Sequence, residues 1–396
     1  MNQDASDTSV PARLPTAGRG RTSLIGGILA GLVFLAVWIP AHEPIPHLPT
    51  SDLYTHLTVT RHLARGEGFL TDVTYPLSFA FPFARDLPQP LIHRQPGFAV
   101  LLTGAYFAGG GDPTRVLDRV RSMQMILLGL IVALGTGWLL RNGQPAAVPV
   151  WLVLLYFHPL LVFAVDWGMV ELVCGLLLLV LWLRLRYGAV GRPGWPDGIL
   201  AGLTTMLRLD LVWVPLLWWI LRGRSSLRRG AFLRRLGLAL LAWLMITAPW
   251  AVRNARLTGN PVFSLQSYAE HVKDTRHWPG YTVYRQLEPQ ALGRTMTSDP
   301  VPVLRKTVRG LKFHFQHLPR LAPLPVLLAL TGGALLQLWR RVRSRGQNPA
   351  APAARDFGPM ALAVATTICL AVQYSVFDHS LRHLLVVLPV LDRLIK

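Results

Sequence analysis

The stretch TSLIGGILAGLVFLAVWIP, Thr22–Pro40, runs for 19 residues without a charged side chain. An apolar run of this length can cross the hydrocarbon core of a bilayer as a helix. It is too long for the apolar region of a signal peptide, and no obvious small-residue cleavage site accompanies it. The stretch therefore predicts a first membrane helix that is retained in the protein.

The composition extends this prediction to the whole chain. Of its 396 residues, 52% are hydrophobic and only 15% are charged, against about 25% charged in soluble domains. Lipid requires every backbone polar group to be bonded internally, so each span must be helical. Further apolar runs lie at Ser122–Leu140, Ala146–Val165, Gly168–Leu183, Ile199–Leu207, Leu211–Leu221, Leu236–Trp250, Leu321–Trp339, Phe357–Phe377 and Leu381–Ile395. The sequence thus predicts an all-α polytopic membrane protein.

The net charge of +20 does not indicate a nucleic-acid partner. Much of the arginine lies in short loops between apolar runs, where cytoplasmic placement accounts for it, and no nucleic-acid motif is present. The two cysteines, Cys174 and Cys369, both lie inside apolar runs. They do not form a disulfide framework, and we interpret them as small buried side chains.

The stretch ILAGLTTMLRLDLVWVPLLWWIL, residues 199–221, could form one helix or two short helices that turn at Arg208-Leu-Asp210. The following loop, RGRSSLRRGAFLRR, holds six arginines and is predicted to be cytoplasmic. With a cytoplasmic N-terminus, only the two-helix alternative places this loop inside. The prediction is about ten membrane helices, with both termini in the cytoplasm and some helices too short to cross fully.

This topology divides the chain into a disordered cytoplasmic tail, residues 1–21, and a membrane domain, residues 22–395. Two long loops, 41–118 and 253–320, are then extracytoplasmic. Each contains a predicted interfacial helix: Phe98–Ala108, which is too short to span, and the basic amphipathic segment VLRKTVRGLKFHFQHLP, residues 303–319.

Asp52 begins a polar segment, SDLYTHLTVTRHLARGEGF, shortly after the first membrane helix. One interpretation is a helix N-cap, which an acidic residue commonly forms. The other is a general base held at the membrane surface, with Tyr54 and His56 lining the same site. Local sequence alone favours the cap.

Arg94, in the segment HRQPGF, has two interpretations as well. Its long side chain could reach lipid headgroups, or its guanidinium fork could bind a phosphate. His93 lies beside it. The other candidate cavity residues are Asp166, Glu171, Arg208, Asp210, Arg253 and Arg382. Intramembrane ionisable groups are functional candidates by default, and the predicted topology places all of these near the outer face, as one cavity.

No phosphate-binding glycine loop, metal-ligand spacing or serine-nucleophile motif is present, so we expect no cofactor and no metal. GGGD at 109–112 predicts a turn, since no Gly-Lys-Ser/Thr follows it.

Five blocks in order resemble the class C (GT-C) glycosyltransferases that use polyprenyl-phosphate sugars, such as protein O-mannosyltransferases and the lipid A aminoarabinose transferase. The blocks are SDLYTHLTVTRHLARGEGF, HRQPGFAVLLTGAYFAGG, LRLDLVWVP, PWAVRNARLTGNPVF and RHLLVVLP. Many relatives carry two adjacent acids and a Pro-Pro pair where this chain has Ser51-Asp52 and Gln95-Pro96.

The resemblance implies an inverting transfer at the outer face of a membrane, here a bacterial inner membrane. Asp52 matches the acid that deprotonates the acceptor hydroxyl. Arg94, Arg208 and Arg253 match the basic positions that hold the donor phosphate, and we assign the same role to Arg382, which lies in the last block. The partners implied are a polyprenyl-phosphate-linked sugar, a glycan, lipid or protein acceptor, and membrane lipid. A transporter or flippase for lipid-linked sugars, or a non-catalytic membrane scaffold, are the alternatives.

Overall fold

The computed structural model describes residues 17–42, 51–187, 194–223, 229–266, 269 and 300–321. It is mainly helical in these ranges. The helices are α1 (Ala17–Ala41), α2 (Ser51–Ala64), α3 (Gly97–Ala108), α4 (Pro113–Arg141), α5 (Ala147–Tyr156), α6 (Pro159–Asp166), α7 (Glu171–Tyr187), α8 (Trp195–Leu207), α9 (Trp213–Gly223), α10 (Arg229–Thr258) and α11 (Pro300–Leu321). A two-residue antiparallel ladder joins β1 (Leu70–Thr71) to β2 (Gln89–Pro90).

In the described part of the chain, three helices are long and apolar enough to cross a membrane: α1, α4 and α10. The ranges Leu321–Trp339, Phe357–Phe377 and Leu381–Ile395 are almost wholly outside the described residues. The described part of the chain is therefore a helical fold with three helices that could span a membrane.

Two boundaries differ from the sequence predictions. Helix α1 begins at Ala17, inside the predicted disordered tail, since a helix can continue beyond its apolar run. The predicted run Ala146–Val165 is two helices rather than one. The chain leaves the helix at His158, where φ is −78° and ψ is 109°, because the residue before a proline disfavours helical geometry.

Two other sequence predictions are confirmed. Gly97–Ala108 forms a short helix. The GGGD segment is a turn whose last residue caps α4, with the Asp112 carboxylate accepting a hydrogen bond of 2.9 Å from the backbone N–H of Arg115.

Helices α1 and α4 pack closely and antiparallel through small residues. A Cβ on Gly27 would lie 2.4 Å from the carbonyl oxygen of Ala133, and one on Gly31 would lie 2.8 Å from that of Gly129. Such small-residue contacts let backbones approach closely and are typical of helix pairs in membranes. The C-terminal end of α1 therefore lies beside the N-terminal end of α4.

Helices α8 and α10 also pack through glycines, but in parallel. A Cβ on Gly194 would approach Arg235, one on Gly198 would approach Ala239, and one on Gly202 would approach Ile246. The start of α10 lies beside the start of α8. The chain must therefore run back along α9, the helix that follows α8 in sequence, before α10 begins. The two-helix interpretation of residues 199–221 is thereby confirmed, with the break at Arg208 in extended backbone.

Side-chain contacts align the remaining long helices. Gln124 of α4 donates a 2.8 Å hydrogen bond to the Met169 carbonyl just before α7, and Trp138 packs on Trp182 further along both helices, so α4 and α7 are parallel. Together, the ends of α1, α8 and α10 and the starts of α4 and α7 meet at one end of the bundle. The segment 51–108 lies at the same end, since a Cβ on Gly168, just before α7, would lie 3.1 Å from the Leu53 side chain. We call this end of the bundle the site end.

Candidate functional site

The central feature of the site end is an ion pair between Asp52 and Arg94. Asp52 lies in the first turn of α2, and Arg94 lies in the loop just before α3. Arg94 Nη2 donates to Asp52 Oδ1. The Asp52 side chain is 21% exposed and the Arg94 side chain is 14% exposed, so the pair is largely buried but still reachable.

The loop that carries Arg94 is fixed from both sides. The ring of His93 stacks on Tyr75 with 3.4 Å between ring centroids, and the Tyr75 hydroxyl lies 2.7 Å from Thr55 Oγ1 of α2. On the other side, the His93 carbonyl accepts from the Ser264 hydroxyl at 3.0 Å and from the backbone N–H of Gln266 at 3.2 Å. The guanidinium is thus presented to Asp52 by a rigid support.

Two histidines next to the ion pair are held neutral. Burial, and then the positive charge of Arg94, lower the pKa of His56 to about 3. The same two causes, in the same order, lower the pKa of His93 well below its usual value. His56 packs edge-on against Phe98, with 5.1 Å between ring centroids. These side chains therefore add polar but uncharged surface beside a charged pair.

A second charged group surrounds Arg208, at the break between α8 and α9. Arg208 Nη1 donates to Glu171 Oε1 at 3.0 Å, and its Nη2 donates to Asp210 Oδ2 at 2.7 Å. Glu171 is 3% exposed and Arg208 is 12% exposed. Because the single guanidinium contacts two carboxylates, this group is an acidic triad that joins α7 to the α8–α9 turn.

The ion pair and the triad are neighbours. A Cβ on Gly97, three residues after Arg94, would lie 2.6 Å from the carbonyl oxygen of Met206, two residues before Arg208. In addition, the negative charge of Glu171 acts to raise the pKa of His56, against the larger lowering that burial causes. The structure thus brings the predicted residues Asp52, Arg94, Glu171, Arg208 and Asp210 together at the site end.

Arg253 lies at the same end but contacts backbone. Its Nη1 donates to the Leu91 carbonyl at 2.8 Å and its Nη2 to the Phe69 carbonyl at 3.2 Å. The guanidinium also lies 4.4 Å from the ring centroid of Trp250. Arg253 therefore fastens the segments around β1 and β2 to α10.

The other predicted residues have different environments. The Asp166 side chain is 1% exposed and accepts from Arg121 Nε at 2.9 Å. Tyr54 is 52% exposed whereas His56 is 6% exposed, so the two lie on different faces of α2. Arg382 is outside the described residues.

Sequence reasoning missed three polar features. His62, buried at the end of α2, contacts Glu67 through Nδ1 and lies 2.9 Å from Asp72 through Nε2. Asp197, at the opposite end of the bundle, pairs at 2.8 Å with both Arg184 and Arg235. Lys306 of α11 is 1% exposed, and its spacing of seven residues from Phe313, on the same helical face, was the one signal of its burial.

Within the described ranges, no group of three or more His, Cys, Asp or Glu side chains is arranged to hold a metal ion. Comparison of the chain with protein-family models, curated proteins and solved structures gives no match.

Proposed function

We propose that this protein is an inverting membrane glycosyltransferase of the GT-C type. In this proposal it transfers a sugar from a polyprenyl-phosphate donor to the hydroxyl of a glycan, lipid or protein acceptor. The proposal rests on one observation above all: Asp52 and Arg94, which belong to the first two blocks of the resemblance, form an ion pair at the site end.

The pair provides the two charges that such a reaction needs. The acceptor hydroxyl gives its proton to the Asp52 carboxylate as its oxygen forms a bond to the anomeric carbon. The bond from that carbon to the phosphate oxygen breaks, and the electron pair leaves with polyprenyl phosphate. A fixed guanidinium stabilises the negative charge that develops on the departing phosphate.

The ion pair also suggests an order of events. In the unliganded protein, Arg94 neutralises Asp52. A donor phosphate that binds Arg94 competes with Asp52 for the same guanidinium. The released carboxylate is then a better proton acceptor, because the hydrogen bonds and the positive charge that stabilised its ionised form are shared with the phosphate. Donor binding would thus prepare the base for the acceptor.

The remaining residues take supporting roles in this proposal. His56 and His93, both neutral, line the space beside the ion pair and present ring nitrogens to sugar hydroxyls. The acidic triad of Glu171, Arg208 and Asp210 orients the α8–α9 turn next to the donor site. Arg253 holds the segments around residues 69 and 91, which carry the Arg94 loop.

The finer topology belongs to the same proposal: about ten membrane helices, both termini in the cytoplasm, and the site end on the extracytoplasmic side of a bacterial inner membrane. Support comes from basic residues at the opposite end of the bundle, where α4 ends at Arg141 and α10 begins with Arg229, Arg234 and Arg235. Such residues favour the cytoplasmic side.

The test is a proteoliposome assay that follows two quantities in the same vesicles. One is the appearance of radiolabelled sugar on an added acceptor, and the other is movement of the labelled donor between leaflets. Transfer supports the glycosyltransferase. Donor movement without transfer would instead favour the alternative of a flippase.

A further inference from the structure

Helix α11 exposes an apolar strip that packs against nothing in the described part of the chain. Val301, Leu304 and Val308 are 61%, 64% and 56% exposed. With a spacing of three or four residues, they lie on one side of the helix. The opposite side contacts the protein, since Lys306 and Gly310 are buried and Phe313 packs against the main apolar core.

A basic strip runs alongside this apolar strip. Arg305, Arg309 and Lys312 are all exposed, and helical spacing places them between the apolar side and the side that contacts the protein. Gln316, also exposed, lies within the basic strip. The helix therefore has three sides, one on the protein, one apolar and one positively charged.

We infer that α11 lies along the flank of the bundle at the membrane surface and binds anionic phospholipid headgroups through Arg305, Arg309 and Lys312. A bilayer surface places phosphates directly beside acyl chains, which matches the adjacent basic and apolar strips. Three helices in the described part of the chain are also long and apolar enough to cross a membrane, which supports a lipid bilayer as the partner of α11. This inference does not depend on the proposed catalytic activity.

The test uses the full chain in bilayers of phosphatidylcholine with trace amounts of spin-labelled lipid, either phosphatidylglycerol or phosphatidylcholine. A fluorophore is attached at Leu304→Cys, with Gln316→Cys as the matched control position. Cys369→Ala removes one native thiol, and Cys174 is fully buried. Acyl-chain spin labels are expected to quench the probe at 304 more than the probe at 316.

The headgroup preference is measured as the ratio of quenching by spin-labelled phosphatidylglycerol to that by spin-labelled phosphatidylcholine. We expect a ratio above one that falls with added salt. Removal of each basic residue is expected to lower the ratio by up to roughly fivefold. The triple variant R305Q/R309Q/K312Q is expected to bring it close to one. The variant R85Q/R115Q/R119Q, with the same charge loss at exposed arginines elsewhere, is expected to retain the preference.

Three results would overturn the inference. Equal quenching at 304 and 316 would mean that the apolar strip is not in lipid. Equal quenching by the two lipids in the wild-type background, at any salt concentration, would mean that the basic strip does not select anionic headgroups. A probe at 304 that is shielded from water but not quenched by lipid would show that protein, such as a second copy of the chain, covers the strip.

Discussion

The guanidinium of Arg94 donates a hydrogen bond to the carboxylate of Asp52, which lies 42 residues earlier in the chain. Asp52 is at the start of α2, and Arg94 is in the loop before α3. Because both side chains are largely buried, removing either one would leave the charge of the other less well compensated. This pair is the centre of the proposed reaction.

Arg94→Lys keeps the positive charge but loses the planar fork that can hold a carboxylate or a phosphate through two parallel bonds. We expect the protein to fold and insert, while the transfer rate falls about 100-fold or more, as for the loss of one preorganised donor in other enzymes. The rate is measured in proteoliposomes with saturating acceptor. The control is Arg115→Lys at an exposed position. Unchanged kinetics in Arg94→Lys would mean that the guanidinium fork does not bind the donor.

Arg208 is either a structural link or a phosphate ligand, and a double variant distinguishes the two. Arg208→Leu leaves the buried Glu171 without this partner, so we expect a loss of roughly 3–5 kcal/mol in unfolding free energy. The double variant R208L/E171L removes the guanidinium and the more deeply buried of its two carboxylates, and leaves only the Asp210 carboxylate, which is 15% exposed. It is therefore expected to recover part of that loss.

Transfer activity then decides the role of Arg208. Full transfer activity in the double variant would mean that Arg208 only links α7 to the α8–α9 turn. A stable double variant without activity would show that one of the two residues also acts in the reaction. A double variant as unstable as Arg208→Leu would contradict the ion-pair account.

Gly97 is required for the close approach of α3 to α8. In Gly97→Ala the new methyl would lie 2.6 Å from the Met206 carbonyl oxygen, so backbone must move. We expect destabilisation of roughly 1–3 kcal/mol, as for overpacking in a core. Gly104→Ala, in the same helix and with no neighbour within 4 Å, is expected to gain about 0.5–1 kcal/mol. Thermal unfolding in detergent measures both, and equal shifts would contradict this packing.

His56 gives the folded protein a defined pH dependence. Its pKa is about 3 in the folded state, against the usual 6.5. Between these values the unfolded chain binds a proton that the folded protein does not, so unfolding free energy falls as pH falls below about 6.5. At pH 5 the expected loss is about 2 kcal/mol relative to pH 7.5.

His56→Gln removes the titrating ring, and its unfolding free energy is expected to depend less on pH between 5 and 7.5. Denaturant unfolding of the two proteins at both pH values gives the comparison. An identical pH dependence would mean that folding does not lower the pKa of His56.

Orientation in the membrane can be tested at the two ends of α4, where Thr114 and Asn142 are both exposed. We expect Thr114→Cys to react with an impermeant thiol reagent in intact cells and Asn142→Cys to react only after permeabilisation. The reverse pattern would place the site end in the cytoplasm.

Charge placement and helix signals predicted a good part of this structure. The six-arginine loop after residue 221 indicated the return of the chain at Arg208, since only that turn keeps the loop with the other basic segments. The break between α5 and α6 was missed, although Pro159 signalled it. Here the continuous apolar run outweighed the proline in the sequence interpretation.

That several residues of the candidate site lie together could be predicted from the sequence, but their contacts could not. The sequence placed Asp52, Arg94, Glu171 and Arg208 near one membrane face because each follows or precedes an apolar run. Which acid meets which base depends on helix alignment through small residues such as Gly97 and Gly198, and no local pattern carries that information. The burial of Lys306 was not predicted either, although its seven-residue spacing from Phe313 signalled it.

The most direct test of the central claim is the transfer rate of Asp52→Asn in proteoliposomes with a radiolabelled polyprenyl-phosphate sugar. Asn can replace Asp at a helix start with little loss of stability, but it cannot accept a proton. A general base contributes roughly 100- to 10,000-fold in rate. We predict that Asp52→Asn expresses, inserts and binds donor. Its transfer rate is expected to be about 1% of the wild-type rate or less, since about 100-fold is the smallest rate loss expected on removing a general base. Near-normal turnover in this variant would contradict the assignment of Asp52 as the base and leave it as a helix-stabilising partner of Arg94.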